Sequence, residues 1–236
     1  MITIQQLQKS FGDHHVLRDI DLEIPTGQSI GIVGPNGSGK TTLIKTMLGL
    51  VKPDYGTITI NNTVLNGNHI YRRDIGYMPQ QARYPENMYA TELFDFMENL
   101  RDEPGEFRNQ LIDEFNLYSE VEKPLRVLSG GNRQKVGAVL AMMFNPSILF
   151  FDEPTAGLDP RSSFIFKERI RDEKRAGKTI LITSHIMSEL EQLVEYVVFI
   201  LDGQIRYYGT IGDLLKDNRQ DHLEGAIAQM MEGVEL

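Results

Sequence analysis

The chain has no cysteine among its 236 residues. That absence removes disulfides, thiolate metal sites and cysteine nucleophiles from consideration, and it agrees with a reducing compartment. Positive charge is also scarce. Lys and Arg number 24 against 33 Asp and Glu, a net charge of −9, so a broad nucleic-acid footprint, which needs a basic face, is not expected. Long apolar runs are missing too. The longest nearly uninterrupted one, Val136 to Phe144, falls far below the ~20 residues a spanning helix needs. The opening Met1-Ile2-Thr3-Ile4-Gln5-Gln6 has neither a basic stretch nor an apolar core, so no signal peptide is expected. The histidines, His14, His15, His69, His185 and His222, show no metal-ligand spacing, and the adjacent pair His14-His15 is expected on a surface turn. No internal repeat or low-complexity linker is visible. The length fits one domain, or one core carrying an inserted subdomain.

What is present begins with alternation. Ile20, Leu22 and Ile24 alternate with polar residues, Pro25-Thr26-Gly27 turns the chain, and Ile30-Gly31-Ile32-Val33 follows as a buried strand. Directly after it stands Gly34-Pro35-Asn36-Gly37-Ser38-Gly39-Lys40-Thr41-Thr42, of the form GxxxxGK(S/T), with a helix-like stretch from Leu43 to Leu50. Strand, loop and helix in that order are the context a phosphate loop requires. Its glycines let successive N–H groups turn toward phosphate oxygens, and the following helix adds its positive end. Lys40 is expected to reach the β- and γ-phosphates and the Thr41 hydroxyl to complete a Mg²⁺ shell.

Farther on, Thr57-Ile58-Thr59-Ile60 alternates again, so the first sixty-odd residues read as antiparallel strands flanking one buried strand and the loop helix. From about Ala82 to Phe144 the period becomes helical, with helices expected over Thr91 to Leu100 and Phe107 to Leu117. Ile148-Leu149-Phe150-Phe151 and Thr179-Ile180-Leu181-Ile182-Thr183 suit buried parallel strands. Tyr196 to Leu201, Asp202-Gly203 and Gln204 to Tyr208 read as a hairpin, and Asp213 to Leu236 as polar and helical.

Two further segments carry chemistry. Asp152 and Glu153 end the apolar run from Ile148; the first suits Mg²⁺ and its water shell, and the second suits polarising an attacking water. A pair of acidic residues at a strand end is common by itself, and it is the phosphate loop that favours the catalytic reading. Leu128-Ser129-Gly130-Gly131-Asn132-Arg133-Gln134-Lys135 opens a helix with a second anion-binding end. Taken alone it reads as a helix cap. Together with the loop it gives one chain two γ-phosphate cradles far apart in sequence, and a head-to-tail dimer uses both most economically.

In this order and spacing the segments resemble those of ABC-type ATPases, over about Ile2 to Tyr208. The resemblance implies a P-loop NTPase core of α/β class, with a mixed or parallel sheet and flanking helices. It implies an N-terminal antiparallel β subdomain and an inserted helical subdomain as well. The ATP-binding core would take about 1–81 and 145–208, the helical subdomain about 82–144, and a C-terminal helical extension 209–236. It assigns ATP to Phe11, Val16, Gly34, Asn36, Gly37, Ser38, Gly39, Lys40, Thr41 and Thr42 of one subunit. Phe11 would stack on adenine and Val16 would pack against base and sugar. Ser129, Gly130, Gly131 and Asp159 would close on the same nucleotide from the other subunit, Asp159 within the Ala156-Gly157-Leu158-Asp159 run that lines the seam. Thr41, Gln80 and Asp152 are implied around Mg²⁺; Glu153, His185 and Gln80 are implied in hydrolysis. Asn132 departs from the family's common glutamine, and Phe11 from its common tyrosine.

The resemblance further implies an ATPase on the cytoplasmic face of the membrane that drives a separate permease, with Gln81 to Met88 as a docking rim or an ordinary hinge. The overall pattern looks like small exporter-type ATPases, and Ile182-Thr183-Ser184-His185-Ile186-Met187-Ser188 is similar to the ATPase linked to copper handling in nitrous oxide reductase maturation. Two other readings stand beside it, a soluble ABC ATPase of a cytosolic assembly system and a non-catalytic scaffold that binds nucleotide to regulate dimerisation. Glu153 and His185 count against the scaffold. A chromosome or DNA-repair ATPase would need a coiled-coil or zinc insertion for which this chain has neither room nor cysteine.

Overall fold

A computed structural model describes residues 1–67, 69–81 and 83–232. The Ala82 start of the expected helical region and the Leu236 end of the expected terminal helix lie outside the described residues. Chain contacts divide the protein into two compact units, Met1–Arg72 with Thr179–Leu236, and Arg73–Lys178.

The first unit opens with β1 (Ile2–Phe11) and β2 (His14–Ile24), antiparallel and in register at Ile2 with Ile24, Ile4 with Leu22 and Leu7 with Ile20. That register buries all six side chains, each worth about 1.5–3 kcal/mol relative to exposure. β3 (Ser29–Val33) is buried throughout and runs into the phosphate loop and α1 (Lys40–Met47). β4 (Tyr55–Ile60) pairs with β1 and with the short β5 (Thr63–Val64), completing an antiparallel sheet of order β2-β1-β4-β5.

In the second unit β6 (Ile75–Met78) lies parallel to β7 (Ile148–Asp152). Among the described residues three α-helices fall between them in sequence, α2 (Ala90–Arg101), α3 (Arg108–Glu114) and α4 (Gly130–Met142), and α5 (Pro160–Arg175) follows β7. Phe166 of α5 joins the ring of Phe151, edge-on at 5.3 Å, to that of Phe115 at 6.0 Å. Glu173, also on α5 and buried, pairs with both Arg169 and Lys178. A carboxylate this deep is tolerated because two cations meet it.

The chain returns to the first unit with β8 (Thr179–Thr183), α6 (Met187–Leu193), β9 (Tyr196–Leu201), β10 (Gln204–Thr210), α7 (Ile211–Asn218) and α8 (Leu223–Glu232). β3 is hydrogen-bonded in parallel to β8 on one side and β9 on the other, and β10 closes the edge antiparallel to β9. The phosphate loop thus leaves the carboxyl end of a central parallel strand, where open α/β sheets place their ligands. The fold is the α/β class read from the sequence, with a mixed sheet, flanking helices and an antiparallel N-terminal sheet. Among the described residues no helix is long and apolar enough to cross a membrane.

Four local expectations need correction. His14 and His15 are the first residues of β2, paired with Phe11 and Ser10, and Gly12-Asp13 alone make the turn. α3 stops at Glu114 instead of Leu117 because Asn116 adopts a left-handed φ of 50° and the Leu117 N–H folds back on the Ile112 carbonyl. α1 begins at Lys40, three residues before the apolar stretch that announced it. Over its described residues the C-terminal segment holds two helices, broken at Arg219 with φ 51°, and α8 buries Leu223, Ala226 and Ile227.

Candidate functional site

The phosphate loop is shaped by its backbone. Gly34 has φ 152°, and a Cβ there would stand 2.1 Å from the Ile200 carbonyl oxygen and 2.7 Å from Ser38 Oγ. Only glycine fits. Lys40 is buried, and its Nζ donates to the Gly34 carbonyl at 2.7 Å and the Pro35 carbonyl at 2.9 Å, so the ammonium lies over the loop. Ser38 Oγ is buried and has no hydrogen-bond partner among the described residues. A buried orphan hydroxyl costs about 1–3 kcal/mol, which an acceptor such as a phosphate oxygen would recover. Charge, orphan donor and glycine geometry together fit a phosphate group. Asn36, Gly37 and Thr41 are exposed at the loop's outer side, and Thr42 is half-buried.

The hairpin turn supports this loop through contacts that no motif marks. The Gly203 N–H donates to the Ser38 carbonyl at 3.2 Å, and the Arg18 N–H donates to the Gly203 carbonyl at 2.8 Å. Asp202 and Gly203 take φ 51° and 75°, the pair of left-handed residues a tight hairpin needs. A Cβ on Gly203 would come within 2.5 Å of the Val16 carbonyl oxygen. Gly203→Ala is therefore expected to destabilise the protein by about 1–3 kcal/mol and to weaken ATP binding. Thermal unfolding and an ATP titration measure both, and an unchanged midpoint would refute the support role.

Val16 is half-buried beside this turn, whereas Phe11 is exposed at the end of β1 with Lys9 Nζ 5.2 Å from its ring centroid. His185 is exposed in the bend between β8 and α6, and the buried Ser184 before it accepts the Ile186 N–H at 3.0 Å.

The second unit holds the other residues singled out. Asp152 ends β7 and is buried; Tyr77, on the neighbouring strand, has its phenol pushed up to about 12, first by burial and then by the Asp152 charge. Glu153 is buried with φ 53°. A non-glycine residue in that region costs about 1–3 kcal/mol and marks a held position. The holding is done by α4: Gln134 Nε2 donates to the Glu153 carbonyl at 3.4 Å and the Pro154 carbonyl at 3.3 Å. No sequence pattern marks Gln134 for this role, because the groups it holds are backbone carbonyls.

Ser129 caps α4, its Oγ accepting the Asn132 N–H at 3.1 Å. A Cβ on Gly131 would stand 3.3 Å from the Gly157 carbonyl oxygen, so the Ser129–Gly131 and Ala156–Asp159 segments are in contact. Asp159 caps α5, accepting the Ser162 N–H at 3.0 Å and the Ser162 hydroxyl at 2.5 Å; these bonds hold its carboxyl below the usual carboxylate range. Gln80, Tyr84, Arg126, Arg133, Gln134 and Gly157 are among the residues lining a cavity of about 760 Å³ within this unit. Burial pushes the Tyr84 phenol up. The site residues are thus divided between the units: Phe11, Val16, the loop and His185 in the first; Gln80, Ser129–Gly131, Asp152, Glu153 and Asp159 in the second.

A family model described as ABC transporter matches residues 17–156, more than half of the chain. The protein belongs to the ABC transporter family. It is similar to the ABC transporter ATP-binding protein NatA of Bacillus subtilis, with 34% identity over 233 residues, 94% of this chain and 95% of NatA. An uncharacterized ABC transporter ATP-binding protein of Nostoc sp. is 32% identical over 215 residues; the match takes 89% of this chain but 64% of that longer relative. The solved structure of an ATP-binding subunit of an ABC transporter aligns with a TM-score of 0.91 at 27% identity, over 98% of this chain and 99% of that one. The chain is accordingly an ATP-binding ABC ATPase.

Proposed function

We propose that this ABC ATPase pairs head to tail with a second copy around two ATP molecules and drives a separately encoded membrane permease from the cytoplasmic face. One observation carries the reading. A single chain has a phosphate loop with an orphan buried hydroxyl at Ser38 and, far from it in sequence, a second anion-ready helix end at Ser129.

In this reading Gly34 and Asn36 to Gly39 wrap the phosphates with backbone N–H groups, Lys40 holds the β- and γ-phosphates, and the Thr42 region continues the cradle. Phe11 stacks on adenine and Val16 packs against base and sugar. The Thr41 hydroxyl, the Gln80 amide oxygen and the Asp152 carboxylate are hard oxygen donors, the kind Mg²⁺ takes in small number beside water and phosphate. Mg²⁺ would offset the charge that develops on the phosphates. Glu153 accepts a hydrogen bond from the attacking water and orients it, His185 donates to the γ-phosphate, and Ser129, Gly130, Gly131 and Asp159 of the second subunit close the site. Catalysis is then positioning and electrostatics, with little covalent work.

The loop after Gln80 serves as the permease rim. Its Met88 and Glu86 carbonyls accept the N–H groups of Leu125 and Arg126 at 2.8 and 3.0 Å, just ahead of Ser129. The test is affinity capture of the Glu153→Gln protein with ATP from detergent-solubilised membranes of the source cells. A multi-spanning protein is the expected co-purifying partner. Recovery of soluble partners alone, with the nucleotide dimer still formed, would replace the permease with a cytosolic assembly system.

A further inference from the structure

The N-terminal turn of α4 is fastened in an unusual way. In a capping box the third helical residue is Glu or Gln, and its side chain reaches back to the cap residue's own N–H. Here that position is Asn132, which is one methylene shorter than glutamine, and its Nδ2 donates to Glu120 Oε2 at 2.9 Å. The helix end is tied to the 119–123 turn instead of to itself. The other Glu120 oxygen accepts Lys123 Nζ at 2.5 Å and the Ser119 hydroxyl at 3.3 Å, so the carboxylate is fixed at both ends.

Two consequences follow for Ser129. A hydroxyl has one donor proton and two acceptor lone pairs. Its oxygen is engaged by the Asn132 N–H at 3.1 Å, which leaves the proton to point outward toward an anion. An isolated carboxylate near a helix N-terminus would also repel an incoming phosphate. Lys123, paired with Glu120, offsets that charge and holds the Glu120 carboxyl below the usual carboxylate range.

We propose that Glu120 is a positioning residue for the trans site: by holding Asn132 it fixes the first turn of α4, and so aims the Ser129 hydroxyl at the γ-phosphate bound by the other subunit. The proposal rests on the reading of Ser129 given above and adds a residue outside the Ser-Gly-Gly segment to it.

The experiment compares ATP-driven dimerisation of the full-length Glu153→Gln chain, followed by sedimentation, with the same chain carrying Glu120→Ala, Glu120→Gln, Asn132→Ala or Ser129→Arg. Glu120→Ala and Asn132→Ala should each raise the protein concentration for half-dimerisation about tenfold, the scale of one charge-assisted hydrogen bond. ATP affinity of the monomer should stay unchanged. Glu120→Gln keeps an acceptor for Asn132 and should restore most of the loss. The double variant Glu120→Ala/Asn132→Ala should be no worse than either single one, since both remove the same bond. A half-dimerisation point for Glu120→Ala within twofold of its parent, while Ser129→Arg stays monomeric, would overturn the role of Glu120. So would equal losses in Glu120→Ala and Glu120→Gln. If Ser129→Arg itself dimerises normally, the trans reading of Ser129 falls and this inference falls with it.

Discussion

Lys40→Ala should reduce ATP affinity by about two to three orders of magnitude. The ammonium is buried and already lies against the Gly34 and Pro35 carbonyls at 2.7 and 2.9 Å. Its charge is therefore desolvated and held over the loop before ATP arrives. Removing one partner of a buried charge pair costs about 2–5 kcal/mol, and each 1.4 kcal/mol is about tenfold in affinity. Alanine also strips the two carbonyls of this donor, so the variant's melting temperature has to be recorded with the titration. A folded Lys40→Ala protein that binds ATP with near-normal affinity would sink the phosphate-loop assignment.

Glu153→Gln should have the opposite profile, with ATP binding retained and turnover lost. Glutamine preserves the shape at a buried position whose left-handed φ of 53° is held through the Gln134 contacts to the Glu153 and Pro154 carbonyls. What it removes is the carboxylate able to orient and polarise water. General-base effects of this kind are worth about 10²–10⁴-fold in rate, and single-turnover hydrolysis measures the drop directly. Because the products would form that much more slowly, the nucleotide-bound dimer should accumulate. A variant that turns over within a few-fold of the parent would assign the water-activating role elsewhere.

The two predictions draw on parts of the fold that differ in how openly the sequence displays them. The buried strands β3, β7 and β8 are legible because each is a short run with an apolar centre, buried at every position and set against a marked turn or motif. The phosphate loop is legible because steric demand at Gly34 and charge at Lys40 each restrict the residue type to one. β6 was hidden: Ile75–Met78 is only four residues, with Gly76 and Tyr77 interrupting the pattern, and its strand character comes from pairing with β7, which is distant in sequence. The end of α3 and the break between α7 and α8 depend on single non-glycine residues, Asn116 and Arg219, entering the left-handed region. Asn is at home in that region and Arg is not, so propensity allows the first and gives no warning of the second.

The supports of the site are the least legible layer. Gln134 beneath Glu153, Gly203 beside Ser38 and Glu120 behind Asn132 act through distances that appear only once the chain is folded. Each is a polar or small residue that composition treats as ordinary. The first two hold backbone carbonyls, to which no side-chain pattern in the sequence points. Asn132 could be recognised as a departure from glutamine, yet its partner could not, because the Glu120 contact crosses a turn and a short helical segment.

The central claim is that ATP joins two copies of this chain. Sedimentation velocity of the Glu153→Gln protein, with and without ATP and Mg²⁺, tests it most directly. The account predicts a monomer without nucleotide, a dimer at saturating ATP, and a monomer under both conditions once Ser129→Arg is added. A Glu153→Gln protein that binds ATP and remains monomeric at concentrations well above those of the binding assay would contradict it.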